Sequence, residues 1–291
     1  MRIRGLKDIA HQFDALLIDQ FGVIHDGQKL YPGAARVLAE LKALGIPVVI
    51  MTNSGKRAAS NVARIVKMGI PRDQFVDCVS SGEVAWQSLQ SKLPRNTAYL
   101  VGKDGEDYGF DPIRFVDDPT QADVMLILGS NAPKTSLADY EKAFRGMTLP
   151  AICCNPDKQM LTSQGLQPAP GAVADVYARL GGRVTWIGKP YPGIYEFALQ
   201  QLSKVPSFPR MREPRLSTHA MSDSLGPRVC GDDEQKMRVL CIGDSAEHDV
   251  AGGRNAGLST LLVLQGVSAG MSGEGLSPAP DYVMPAFQWD A

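Results

Sequence analysis

The chain alternates short, uninterrupted apolar runs with stretches of helical period. Ala15–Ile18 (ALLI) is a continuous apolar run of the kind that fills a strand buried on both faces. After a loop, Pro32 stands where a first helical turn tolerates proline, and Val37, Leu38, Leu41 and Leu44 share a helical face ending at Gly45. Pro47–Met51 predicts a second strand, and Val62, Ile65 and Val66 mark a helix that stops at Gly69. The same grammar returns late in the chain, with strands expected at Val184–Ile187, Arg238–Ile242 and Thr260–Leu264 and a helix at Ile194–Leu202. Because the runs do not alternate and helices join them, the pattern predicts an α/β fold with a doubly wound, Rossmann-like parallel sheet covered on both faces.

Between these halves lies a further α/β stretch with strand candidates at Ala98–Val101, Val124–Leu128 and Ala151–Cys154. It is long enough to be a domain of its own. The expected organisation is therefore a core made of residues 1–79 and 183–291, with an inserted α/β domain at 80–182. Val205–Gln235 breaks the pattern, being rich in Pro, Arg and Ser and lacking any apolar period where α/β connections normally take ~2–6 residues. Its composition predicts an exposed, disordered insert. Acidic residues interleaved with its basic ones count against a nucleic-acid arm. Its ends, SFPRMRE and PRVCGDDE, resemble the translation of a bacterial inverted repeat, which would leave the segment without a catalytic role.

Composition narrows the classes further. With 44% apolar residues, 21% charged residues and a net charge of −1, the chain has an ordinary soluble make-up that suggests neither a nucleic-acid nor a membrane partner. Apolar runs such as Ile46–Met51 are far too short to span a bilayer, and the first residues hold no continuous apolar segment of a secretion signal. Five cysteines without CxxC spacing read as buried free thiols and suit a reducing cytoplasm.

Four short segments follow predicted strands, at the sheet edge where open parallel sheets bind ligands. Asp19 closes the first run; a carboxylate there needs a cation or a hydrogen-bond network, unless it is merely a turn or cap residue. Thr52-Asn53-Ser54 stands just before a helix, as an anion site or as a plain N-cap. The neighbouring Gly55-Lys56 is no P-loop, because Ile50 and Arg57 occupy the positions its first Gly and its Ser/Thr require. Lys189, held between Gly188 and Pro190, offers a fixed positive charge to a phosphate, or else is a solvated surface lysine. Asp244 and Asp249 supply the hard oxygens that suit Mg²⁺, or serve as a turn and a cap.

Taken in this order, the four segments resemble the motifs of the haloacid dehalogenase superfamily. Cys154-Asn-Pro-Asp157, Gly171-Ala172, Gly181-Gly182 and Gly188-Lys189-Pro190 resemble its class IIA, NagD-like phosphatase branch, which inserts an α/β cap between the second and third motifs. The ending Asp281–Trp289 is similar to a subgroup of that branch. The resemblance implies a phosphatase acting on a small phosphorylated metabolite such as a sugar phosphate or nucleotide, with Asp19 as covalent nucleophile. It implies Mg²⁺ held by Asp19, Asp244, Asp249 and the backbone carbonyl of Phe21, and phosphate oxygens held by Thr52, Asn53, Ser54 and Lys189. Similar proteins dimerise through the cap, so the resemblance allows a homodimer.

One position departs from the pattern. Phe21 occupies the place, two residues after the nucleophile, where phosphatases of the superfamily carry a general-acid Asp. Three readings follow: a phosphatase drawing its acid from elsewhere, with His25 as candidate; a dehalogenase-like enzyme; or a phosphometabolite-binding protein that has lost turnover. The intact Asp244/Asp249 pair argues against the second.

Overall fold

The computed structural model describes residues 1–90, 92–162, 165–205, 237–273 and 275–290. In chain order the elements run β1 (Ala15–Asp19), α1 (Ala34–Ala43), β2 (Val48–Thr52), α2 (Ala58–Lys67), β3 (Asp77–Ser80) and α3 (Ser81–Leu89). There follow β4 (Thr97–Val101), β5 (Arg114–Val116), β6 (Val124–Ile127), α4 (Leu137–Phe144), β7 (Ala151–Cys153), a hairpin of β8 (Gln159–Thr162) and β9 (Gly165–Pro168), and α5 (Pro170–Arg179). The chain ends with β10 (Val184–Trp186), α6 (Pro192–Ser203), β11 (Val239–Gly243), α7 (Ala251–Asn255), β12 (Ser259–Val263) and β13 (Tyr282–Met284).

Six strands form one parallel sheet in the order β13-β12-β11-β1-β2-β3. The buried apolar runs explain its centre, since β1, β2 and β11 are buried at every position. Alternate residues feed the two sides. Leu16, Ile18, Val48, Ile50, Leu240 and Ile242 pack against Val37, Leu38 and Leu41 of α1 and Ile65 of α2. Leu17, Val49, Met51, Val239 and Cys241 pack against Ile194, Tyr195, Ala198 and Leu202 of α6. The chain winds outward from β1 in both directions, so the topological switch point lies between β1 and β11.

A second parallel sheet, β10-β7-β6-β4-β5, is inserted between β3 and β11. Helices α4 and α5 cover one face, and α3 covers the other through Ala85 and Leu89. Val184–Trp186 was expected in the core but hydrogen-bonds to β7, so the inserted sheet runs on past residue 182 to Trp186. An apolar run fixes that a strand forms and is silent about its partner. Strands β3, β5, β13 and the β8–β9 hairpin carry no predictive run. Helix α2 starts at Ala58 with Arg57 at its N-cap, so Thr52 ends β2 and Asn53 and Ser54 belong to the loop that follows, not to a helix start. The unusual insert, from residue 206 to 235, lies outside the described residues. No helix among the described residues is long and apolar enough to cross a membrane.

The loop after β2 joins the two sheets. Arg57 donates its backbone N–H to Tyr108 O at 3.3 Å, and its guanidinium pairs with Glu83 at 2.6 Å and lies over the Trp86 ring. Gly55 presses against the end of β6: a Cβ there would stand 2.1 Å from the Leu128 carbonyl oxygen. Gly55→Ala must push two backbones apart, and we expect it to cost about 1–3 kcal/mol. Urea denaturation measures this, and an unchanged midpoint would contradict the tight approach.

Candidate active site

The sheet's switch point sets Asp19, the last residue of β1, beside Asp244, which follows β11. A short turn of wide helical pitch, Ala246–Val250, then turns Asp249 back toward them. Ligand atoms of the three carboxylates lie within 4.8 Å of one another, and all three side chains are buried. Lys189 reaches in from the end of β10. Its Nζ donates to Asp19 Oδ1 at 2.5 Å and to Asp249 Oδ1 at 2.7 Å, with the lysine only 3% exposed. Asp249 Oδ2 accepts from Ser245 N–H at 3.1 Å, and Asp244 Oδ2 from Val267 N–H at 2.7 Å. Backbone crowds Asp244 so closely that only glycine fits on either side. A Cβ on Gly22 (φ +91°) or on Gly266 (φ +52°) would come within 2.0 or 1.9 Å of its Oδ2.

Charge is out of balance here. Three buried carboxylates lie together with one ammonium, which pairs with two of them. Burial pushes Asp19 well above the usual carboxylate range, Lys189 pulls it down, and the charges of Asp249 and Asp244 add to the upward push. Burial and the Asp249 charge likewise push Asp244 up to about 7; burial works against the Lys189 charge, but Asp19 and Asp249 outweigh it and hold Lys189 protonated. A hard divalent cation between Asp19 and Asp244 would supply the missing positive charge, so the donor set fits one. Both Asp249 oxygens already have protein partners, which suits it to holding Lys189.

The second loop is arranged around Lys189 as well. Asn53 Oδ1 accepts from Lys189 N–H at 2.7 Å, and its Nδ2 donates to Lys189 O at 3.1 Å and to Asp157 Oδ1 at 2.9 Å. The Asn53 amide, expected on a phosphate, is thus occupied by the protein. Ser54 Oγ accepts from Lys56 N–H, and Thr52 Oγ1 from Ser54 N–H, both at 3.3 Å. Asp157 enters from the sequence only as the end of the Cys154–Asp157 segment, with no site role. Applying the strand-end rule to β7, as to the other strands, would have singled it out. Val267 contributes only a backbone N–H, which no sequence pattern announces.

His25 is neither an exposed loop residue nor a proton donor to a substrate. It is fully buried, Nδ1 accepts from Gly27 N–H at 2.9 Å, and Nε2 lies 2.9 Å from the Gln20 side-chain amide. Nε2 therefore carries the proton. The amide orientation that turns Gln20 Oε1, a buried oxygen otherwise without a partner, toward Nε2 satisfies both groups. Burial, helped by the Arg64 charge, lowers the imidazole to about 4, so it is neutral at pH 7. The Phe21 ring meets it edge-on at 5.9 Å and stays 46% exposed.

A family model described as haloacid dehalogenase-like hydrolase matches residues 16–111, and a second, HAD-hydrolase-like, matches residues 186–289. The chain is 25% identical to dihydroxyacetone phosphatase of Corynebacterium glutamicum (strain R), over 87% of this chain and 81% of that one. It is 23% identical to ribonucleotide monophosphatase NagD of Escherichia coli (strain K12), over 93% and 95%. A haloacid dehalogenase-like hydrolase structure from Brucella suis 1330 superposes with a TM-score of 0.76 at 24% identity, covering 98% of this chain and 99% of that one, and so shares the fold.

The charge imbalance has a thermodynamic consequence. Between the ordinary carboxylate value of 3.8 and about 7, native Asp244 keeps a proton that the unfolded chain has lost. Without a cation, its contribution to stability therefore falls as pH rises through that window. A divalent ion replaces the proton, so the gain in Tm on adding Mg²⁺ over chelator should be larger at pH 8 than at pH 5. Scanning calorimetry at the two pH values checks this, and equal gains would contradict it.

Proposed function

The chain belongs to the haloacid dehalogenase-like hydrolases, and on that premise we propose a Mg²⁺-dependent phosphatase that attacks a small phosphomonoester with Asp19. The observation that carries this reading is the buried Lys189 ammonium paired with Asp19 and Asp249, with Asp244 alongside, at the switch point. Excess buried negative charge is costly unless it meets a cation, and a bound cation would in turn accept an anionic substrate. The names of the C. glutamicum and E. coli relatives, one a triose phosphatase and the other a nucleotide phosphatase, support a small phosphorylated substrate. The free, buried thiols of Cys78, Cys153, Cys154 and Cys241 support a reducing, cytoplasmic setting.

In this mechanism an Asp19 carboxylate oxygen attacks phosphorus as the ester P–O bond breaks, and the electron pair leaves on the ester oxygen. Water then attacks phosphorus, the P–O bond to Asp19 breaks, and inorganic phosphate departs with the carboxylate regenerated. Asp19, Asp244 and the Phe21 carbonyl would hold Mg²⁺, which would supply charge neutralisation between carboxylate and phosphate. Lys189, Thr52 and the backbone N–H of Asn53 hold the transferring oxygens, while Asp249 keeps Lys189 in place.

Phe21 favours a second feature of this reading, which is weak turnover on poor leaving groups. Its ring cannot give a proton to the departing oxygen, and His25 is buried and engaged elsewhere. The leaving oxygen and the attacking water must exchange protons with solvent. Side-chain acid–base assistance is typically worth ~10²–10⁴ in rate.

With Mg²⁺, phosphate release from an aryl phosphate should be measurable and should vanish in Asp19→Asn and in chelator. Binding without release would point instead to a phosphometabolite-binding protein. Phe21→Asp should raise turnover on alkyl phosphates more than on aryl phosphates. Equal effects on both substrates would contradict the missing-acid argument.

A further inference from the structure

The phosphatase reading leaves one contact across the two sheets without a role. Asp157 follows β7 of the inserted sheet, yet its Oδ1 accepts from Nδ2 of Asn53, in the loop after β2 of the core, at 2.9 Å. Asn53 in turn grips Lys189 by both backbone groups. Chemistry fixes the amide orientation from two sides. The Lys189 N–H can face only Oδ1, and the Asp157 carboxylate can face only Nδ2.

Space around this clamp is tight. A Cβ on Gly188 would meet Asn53 Oδ1 at 2.7 Å and Pro156 Cδ at 2.8 Å. Asp157 itself is anchored, its N–H donating to Asn155 Oδ1 and its carbonyl accepting from Gly171 N–H, both at 2.9 Å. The same Oδ1 lies 3.5 Å from His248 Nδ1, on the turn that carries Asp249. One carboxylate from the inserted domain thus touches both core segments that hold Lys189. The first secures its backbone and the second its ammonium.

We propose that Asp157 is a positioning residue for the reaction, fixing Lys189 against Asp19 through the Asn53 amide. The inference rests on Lys189 serving the phosphatase chemistry described above. Lys189 Nζ touches the attacking carboxylate, so its placement matters most while charge passes between Asp19 and the phosphoryl oxygens. Loss of the clamp should therefore lower kcat and leave KM nearly unchanged.

The test is steady-state kinetics of the full chain on p-nitrophenyl phosphate with Mg²⁺, alongside thermal melting. Asp157→Ala should lower kcat by about 10-fold or more and change KM by less than about threefold. Asp157→Asn keeps an oxygen acceptor at the same reach and should recover most of the loss. Asn53→Asp, which sets a carboxylate against Asp157, should be more impaired than Asp157→Ala, and adding Asp157→Asn to it should restore part of the rate. An unchanged kcat in Asp157→Ala, an effect confined to KM, or an Asp157→Asn variant as impaired as Asp157→Ala would overturn the proposal. Phosphate release that survives in Asp19→Asn would defeat the nucleophile reading alone, since the kcat and KM comparison at residue 157 is made on wild-type Asp19.

Discussion

The structure depends on one buried ion cluster, the Lys189 ammonium pressed between Asp19 and Asp249 with Asp244 alongside. Removing these charges from water is expensive, and breaking such a group by deleting one partner leaves an uncompensated charge. The surrounding chain answers that constraint locally. Parallel β1 and β11 bring two carboxylates to adjacent strand ends, and glycines at 22 and 266 let backbone close around Asp244. Backbone N–H groups of Ser245 and Val267 each satisfy one oxygen, Oδ2 of Asp249 and Oδ2 of Asp244. What stays unbalanced is the sum of the charges, an excess of carboxylate that a bound cation would offset.

The cluster also explains why two sheets are needed. Its carboxylates come from the core, but its ammonium follows β10, which belongs to the inserted sheet. The strand ends of the two sheets therefore face one another across the site. The loop after β2 ties them together through Arg57 and Gly55 at one end and Asn53 at the other. A core without its insert would lack Lys189 and the Asp157 carboxylate that meets Asn53.

Much of this was legible from residue pattern alone. Uninterrupted apolar runs located β1, β2 and β11, and the residues that follow them proved to be the ones the fold gathers. The run at Val184–Trp186 also placed Lys189 at a strand end, though in the wrong sheet, because apolarity specifies burial and leaves strand pairing open. Short or polar strands escaped notice for the same reason: Arg114–Val116 is an exposed edge with no buried face to impose a pattern. His25 could not be judged from its loop. Its state is set by Gly27 and Gln20, which fold around the ring only in three dimensions. Asn53 was recognised as important but assigned to substrate, since no spacing rule shows that its amide meets the Lys189 backbone.

Phe21 makes the central claim unusually testable. A site that can form an aspartyl-phosphate but lacks a side chain to activate water should hydrolyse that intermediate slowly. Acid quenching during turnover of an aryl phosphate, followed by mass spectrometry of peptides, reads the intermediate directly. The account predicts one hydroxylamine-labile phosphoryl group on Asp19, absent from Asp19→Asn and shorter-lived in Phe21→Asp. Turnover with no phosphorylated peptide, or with the phosphoryl group on another residue, would contradict it.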